Sequence, residues 1–600
     1  NILRTHLPCA DLRRKITVDE LLRSELFSKK QMRQHGKDVA RSHNLRTGRS
    51  SNQLLNRMAD NEKVLINVRN LLTKAVKDNH SITPAEEWFL DNFYLIEEQI
   101  RTARRHLPRV YSRELPHLTD GPSAGLPRVY DIALEMISHG DGRLDSNVLS
   151  LFVDAYQSVT ELKLGELWAV PIMLRLALIE NIRRIAVRIS TDRTHRNLAG
   201  IWSDRMTVIA EKDPKSLFLE IADMARSDPP MVGAFVAEMT RRLQGQNPAL
   251  ALPLTWIEQR LAESGQTIKS LVHLETQQQA ADQVSLSNSI GSIRFLGTMD
   301  WREFVETMSV VERMLREDPS DIYVRMDFTT RDRYRHVIER IAKKSLLPES
   351  EVARTAINLA RKNRSENGHA DYKEHVGFYL IDRGFSELEQ LTKARYSTVE
   401  KMMRLGRRIP LLLYIGSIIL TTCSLAGIML MKAHTDGLQG WPLLILLFIT
   451  LLSASHLAIA LVNWLATLLV TPHPLPKIDF SQGTPPECRT LVAIPTMLLS
   501  ENNIHKIIEA LEIRFLANRD DHLFFALLTD FRDAGEETMP DDETLLSMAQ
   551  KGIEGLNAKH QDMKGDRFFL FHRPRLWNHQ EHIWMGYERK RGKLADLNAF

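Results

Sequence analysis

Two uncharged stretches, residues 409–431 and 441–470, constrain this chain more than anything else in it. The first, IPLLLYIGSIILTTCSLAGIMLM, runs for about 23 positions without a charge, enough for a helix to cross a hydrocarbon core of about 30 Å. The second is about 30 residues long, with Trp441 and Trp464 placed as interfacial anchors. The whole chain has a mean hydropathy of only −0.24. Two such runs so close together therefore predict a pair of transmembrane helices rather than a buried hairpin in a soluble core. Lys401, Arg404, Arg407 and Arg408 crowd the entry to the first run, whereas the connection KAHTDGLQG brings one lysine, Lys432. That asymmetry predicts a cytoplasmic N-terminal region, an outside loop and a cytoplasmic return. His456 and Asn463, inside the second run, predict bonds to neighbouring helices, since no paired acid or base suggests transport.

Six hundred residues imply roughly three to five domains or subdomains. The formal net charge of +4 is nearly balanced over that length, and no long basic tail is present, so nucleic acid is not an expected partner. Cys9, Cys423 and Cys488 are far apart and odd in number, which argues against a disulfide framework or a zinc ribbon. NILRTHLPCADLRRK has neither a starting Met nor the apolar core of a signal peptide.

Residues 1–400 read as a helical region. Leu174, Leu178, Ile182, Ile185 and Ile189 fall on one face at a 3.6-residue period. WFLDNFYLIEEQIRTARRHL and RYRHVIERIAKKSLLPESEVARTAINLARKN have the same character, with breaks near TDGPSAGLP and at Ser227-Asp228-Pro229-Pro230. LPRVY occurs at Leu107 and again at Leu126, but its surroundings do not repeat, so no solenoid is expected. No nucleophile triad or metal-ligand spacing stands out here, and the region reads as a platform or interaction module.

Residues 471–489, rich in proline and polar side chains, read as a linker. From 490 to 600 the pattern alternates: RTLVAIPT, HLFFALLTDF and DRFFLFHRP as apolar strands, NNIHKIIEALEIRFLAN and DDETLLSMAQKGIEGLNAKH as helices between them. This is the signature of a parallel α/β sheet, whose ligands bind beyond the carboxyl ends of the strands. Pro495 and Thr496, Asp530, then His572 and Arg573 stand at those ends. AIPTMLLSENN has no glycine, and Gly592-Lys593 lacks the spacing of a phosphate loop, so neither dinucleotide nor Walker chemistry is expected. The basic run Arg589, Lys590, Arg591 and Lys593, broken by Gly592, leads into LADLNAF at a helix start, which suits a diphosphate, although read by itself such a run is more commonly a solvated basic loop. His579 and His582 in HQEHIW lack further ligands nearby, so no metal site is assigned to them.

Taken in order, Pro495-Thr496, Asp530, and Gly592-Lys593 with Leu597-Asn598 resemble the motifs of inverting, membrane-embedded glycosyltransferases of the GT-A fold. WMGYERKRGKLADLN, WFLDNFYLIEEQI, LPRVYDIALEMISH and GELWAVPIMLRLALIENIRRIA are similar to segments of the cyclic β-1,2-glucan synthases, so the likeness covers most of residues 81–600. The expected fold is thus an α-helical N-terminal region, two transmembrane helices and a partial α/β domain with a GT-A, Rossmann-like parallel sheet. One departure is that Glu501 stands several positions after Pro495-Thr496, where simple synthases place it at once. No uracil contact is assigned to it.

The resemblance implies a bacterial inner-membrane, multi-pass glucosyltransferase with its N-terminal region and transferase domain cytoplasmic. It would use UDP-glucose to elongate and cyclise β-1,2-glucan on a protein-linked chain, by a single inverting displacement. Asp530 would hold the uridine part with Pro495 and Thr496 lining the pocket. Lys593 would approach the diphosphate, aided by Lys590 and Arg591. Mg2+ (or Mn2+) would stabilise the leaving group. By the family pattern its ligands and the catalytic base follow residue 600, so the chain is expected to be part of a longer polypeptide and inactive alone. A processive synthase of cellulose, chitin or hyaluronan type, or a non-catalytic membrane scaffold with a degenerate nucleotide site, are the competing readings.

Overall fold

The computed structural model describes residues 25–46, 53–107, 114–367, 372–396, 409–470, 472, 474–561 and 565–600. Cys9, most of the first LPRVY and the basic group Lys401, Arg404, Arg407 and Arg408 lie outside the described residues. The chain divides into two compact units, one of residues 1–323 and 334–405, the other of residues 324–333 and 406–600.

The first unit is built of helices, with a two-residue ladder pairing Leu45–Arg46 to His117–Leu118. Its main members are α1 (Lys29–Ser42), α2 (Gln53–Lys77), α3 (Arg128–His139), α4 (Ser146–Gln157), α5 (Leu164–Lys212), α6 (Gly233–Leu243) and α7 (Ile268–Thr298). Local chemistry sets the boundaries. Ser28 caps α1 in a reciprocal box with Gln31, and Asp145 accepts from the Asn147 amide at 2.7 Å to start α4.

The predicted face of α5 is buried: Leu174, Leu178, Ile182, Ile185 and Ile189 are at most 4% exposed. Its other faces are buried too over the first half, through Ala169, Val170, Met173, Leu176, Ala177 and Ile179. A helix covered on all sides crosses a core rather than lining one, and α2, α3, α6 and α7 all contact it. Further along, Ala199, Trp202, Met206 and Ala210 leave the first core and enter a second one with Leu217, Phe235, Met239 and Ile257.

Crossing a core carries one acid inside. Glu180 of α5 is fully buried and accepts hydrogen bonds from Arg57, Asn61, Arg183 and Arg184 at 2.7 to 3.2 Å. Burial alone would raise its pKa. The bonds and charges of Arg57 and Arg183, with Asn61, outweigh burial and hold the carboxyl below the usual range.

In the second unit, α8 (Pro410–Thr435) and α9 (Trp441–Leu469) are long and apolar enough to cross a membrane. The rest of this chain does not cover them, because only 11% and 17% of their most apolar windows are buried. Leu412, Leu420, Phe448 and Leu468 are each more than 60% exposed. What is buried is a seam of small residues, Thr422 and Ala426 facing Thr450, Ala454 and Ala458, which lets two helices approach closely. Asn463 accepts from the Tyr414 hydroxyl of the other helix at 2.7 Å, as its polar chemistry requires, while His456 is exposed. The first helix runs four residues past its apolar stretch. Lys432 and His434 suit the negative end of a helix, and Gly437 supplies the left-handed turn (φ 96°) that ends it.

Within this unit the predicted linker is partly paired. The Asp327 amide donates to Lys477 at 2.9 Å and the Asp479 amide to Arg325 at 2.7 Å. The sheet follows: β1 (Thr490–Leu498), α10 (Glu501–Ala517), β2 (Leu523–Phe531), α11 (Asp542–Lys559) and β3 (Phe568–His572), all strands parallel in the order β1-β2-β3. Phe515, Phe525, Leu527, Ile553 and Phe568 form its core. A hairpin of β4 (Leu576–Asn578) and β5 (Ile583–Met585) then precedes α12 (Arg589–Ala599). The hairpin escapes sequence reading because three-residue strands have too few alternations. Trp577 opposite Trp584, with ring centres 5.7 Å apart, is the pair that holds it.

Replacing Glu180 by alanine strands the buried guanidinium groups and should cost about 3–5 kcal/mol, read as a lowered thermal midpoint of the chain in detergent. A carboxylate with a depressed pKa stabilises above its ordinary value of 4.5 and loses that contribution as the pH falls further. The gap between wild type and Glu180→Ala should therefore narrow in acid.

Candidate functional site

Parallel register aligns the carboxyl ends of the three strands. Thr496 lies opposite Thr529, Met497 opposite Asp530, and Thr529 opposite His572. An apolar strand delivers Asp530 into the interior, where it is 1% exposed. A charge so placed must be matched on the spot. Lys593, the fifth residue of α12 and itself 6% exposed, donates to Asp530 Oδ1 at 2.6 Å and to the Thr496 carbonyl. Arg573, just past β3, reaches Asp530 Oδ2 at 3.4 Å. The same guanidinium donates to the carbonyls of Tyr587 and Arg589 at 2.9 Å and to Asp596 at 3.0 Å, tying the start of α12 to the sheet edge.

The approach of α12 requires two glycines. A Cβ on Gly586 would collide with the Asp530 carboxylate and sit 3.3 Å from Arg573, and one on Gly592 would collide with the Tyr587 carbonyl and Arg573. The close approach expected of Gly592 is thus made to the chain's own backbone and guanidinium. Glu588 and Arg589 adopt left-handed φ values of 52° and 47° where the chain turns into the helix.

Of the six residues singled out from the sequence, Thr496, Asp530 and Lys593 meet directly, and Pro495 stands beside Thr496 on β1. Lys590 and Arg591 do not join them. Both are exposed, Arg591 by 84% of its side chain, with Glu588 at 3.5 Å as its ionic neighbour. Arg589 pairs instead with Asp533. Arg573 is the residue whose importance the sequence concealed. Its position at a strand end was visible, but its fan of four oxygen partners was not.

A cavity of about 180 Å³ opens beside the cluster, lined by Thr529, Phe571, His572, Arg573, Lys593 and Leu597 among others. His572 sits against Thr529 Oγ1 at 2.9 Å, and burial pushes its imidazole below the ordinary value despite the nearby Asp530 and Asp542. A larger cavity of about 580 Å³ lies at the opposite edge, around Thr484, Phe515, Asp520, His522 and Arg567. That edge is where the strands begin, and Asp520 is already committed to the amides of Thr484 and His522. Sheet topology favours the smaller one. The divalent ion implied by the resemblance does not fit the residues at the carboxyl edge. Asp530, Asp533 and Asp596 each carry a basic partner, and no three ligand atoms converge there among the described residues.

These features define a class first: two membrane-length apolar helices leading into a parallel α/β unit with a buried Asp–Lys–Arg cluster at its carboxyl edge. No family model matches the chain. Over its whole length it is 32% identical to cyclic beta-(1,2)-glucan synthase NdvB of Rhizobium meliloti (strain 1021), across 605 aligned residues. The chain is thus similar to a cyclic glucan synthase and spans 21% of the length of that protein.

Gly586→Ala should drive the turn off Asp530 and destabilise the unit by about 1–3 kcal/mol, the usual cost of overpacking. Hydrogen exchange at the amides of α12 should accelerate in that variant and in Arg573→Gln, with those of α10 unaffected.

Proposed function

We propose that the carboxyl edge of this sheet is the nucleotide-facing side of a membrane-bound inverting glucosyltransferase that takes UDP-glucose and extends β-1,2-glucan. The observation that carries this reading is the Lys593 ammonium, held between Asp530 and the Thr496 carbonyl at the one edge where a parallel sheet receives ligands. In the bound state a diphosphate oxygen takes the place of the Thr496 carbonyl on Lys593. Asp530, oriented by Arg573, turns its remaining acceptor capacity to the uridine. A single displacement at the anomeric carbon converts the α-linked donor into a β-linked product, the glycosidic electron pair leaving with UDP. The relative's name supports the glucan, and the two apolar helices support attachment to the bacterial inner membrane with the sheet on the cytoplasmic side. Growth on a protein-linked chain, closure to a ring and assistance by Mg2+ or Mn2+, held by ligands other than the residues at this edge, belong to the same reading.

One observation favours a different reading, a purely structural lock: Asp530 is 1% exposed and both of its oxygens face cations. Binding of UDP by the chain in detergent separates the two. Lys593→Ala and Asp530→Asn should each weaken UDP at least about tenfold, the loss of a charge-assisted bond of roughly 1.5–3 kcal/mol. Lys590→Ala and Arg591→Ala, at exposed positions, should stay within about twofold. Unchanged UDP affinity in both cluster variants, together with lowered thermal stability, would establish the lock. Radiolabelled UDP-glucose and linkage analysis in membranes holding the full-length protein then test the product, and a 1,4-linked glucan sinks the family-based part of the proposal.

A further inference from the structure

A second constellation, in the helical unit and independent of the sheet edge, has no place in the function above. Glu135 and His139 stand one turn apart on α3, and His35 comes from α1, 100 positions before Glu135. His35 Nε2 lies 2.8 Å from Glu135 Oε2, and His139 Nε2 lies 3.5 Å from the same oxygen. The three atoms fall within 4.8 Å of one another, the one such group among the described residues. We propose that His35, Glu135 and His139 form a binding site for a divalent transition metal of the zinc class.

Geometry carries the argument. His139 Nδ1 is 2.7 Å from the backbone carbonyl of Glu25, which can only accept, so Nδ1 donates there and Nε2 is the atom turned to Glu135 Oε2. The same carboxylate oxygen meets His35 Nε2, which brings three ligand atoms from two helices together. Their distances suit a metal. Bonds of about 2.0–2.1 Å in tetrahedral geometry put ligand atoms roughly 3.3 Å apart, and the observed 2.8 and 3.5 Å bracket that figure.

The surroundings are those of a built site. The bond from His139 to a main-chain carbonyl fixes tautomer and ring orientation, as the outer partners of metal-bound histidines do. Phe27 stacks flat on His139 with ring centres 3.8 Å apart and meets His35 edge-on at 5.2 Å, walling one side with hydrocarbon. The side chains of His35, Glu135 and His139 keep 23%, 33% and 11% of their exposure, leaving a route for the ion and a fourth position for water. Two imidazoles with one carboxylate select a borderline transition ion over Ca2+ or Mg2+. Bound there, the ion staples the entry segment and α1 to α3.

The test uses the whole chain in detergent, stripped with a chelator and titrated with Zn2+ alone, with Co2+ as a spectroscopic probe. The expected result is one equivalent of zinc and a Co2+ spectrum with the intense visible bands of low coordination number. His35→Gln and His139→Gln should each weaken zinc by more than about 100-fold, beyond the 10–100-fold typical of losing an outer-shell partner. Glu135→Gln, which keeps the shape, gives the same reading should a histidine variant fail to fold, as judged by circular dichroism. Absence of a stoichiometric zinc site would overturn the proposal and leave a proton as the bridging cation. Undiminished binding in the folded variants would overturn it equally, since the zinc would then sit on other residues.

Discussion

A carboxylate at the end of a buried strand cannot be left alone, and the carboxyl edge of the α/β unit is organised around that requirement. Asp530 draws Lys593 from one element and Arg573 from another. Because Arg573 also holds the carbonyls of Tyr587 and Arg589, neutralising one acid fixes where α12 begins. The glycines at 586 and 592 follow from the same need, since side chains there would hold the helix off the carboxylate. What reads as a basic helix start suited to an anion is first an answer to an anion the protein has buried itself.

This is also where sequence reading reaches its limit. The strands β1, β2 and β3 and the helices between them are legible because apolar runs alternate with 3.6-residue periodicity, and the level of Asp530 follows from the strand ends. The division of labour within ERKRGK is not legible. Helical side chains lean toward the N-terminus, so Lys593, fifth in α12, overhangs the strand edge. Lys590 and Arg591 lean past the start of the helix into solvent. Identical charges a few positions apart thus have different partners, and only the placement of the helix separates them.

The helical unit teaches the same lesson in apolar terms. The periodic face of α5 is visible in its sequence, but the burial of its remaining faces depends on helices from distant parts of the chain. His35 and Glu135 likewise show no spacing to notice, because their meeting is made by the contact of α1 with α3. Residues paired along one helix can be read from sequence, whereas pairs made between helices need the fold.

One consequence of α5 concerns how the first unit comes apart. With 49 residues it extends about 74 Å at 1.5 Å per residue, and its two halves belong to different hydrophobic clusters. Neither cluster owns the helix. Fraying that starts beside Trp202 meets Ile189, Ile185 and Ile182 of the other cluster before it meets the bonds anchoring Glu180. The rod therefore acts as a shared beam whose clamp is set inside the first cluster. An opening that begins in the second cluster is felt by the first as soon as it has run about four turns along the beam.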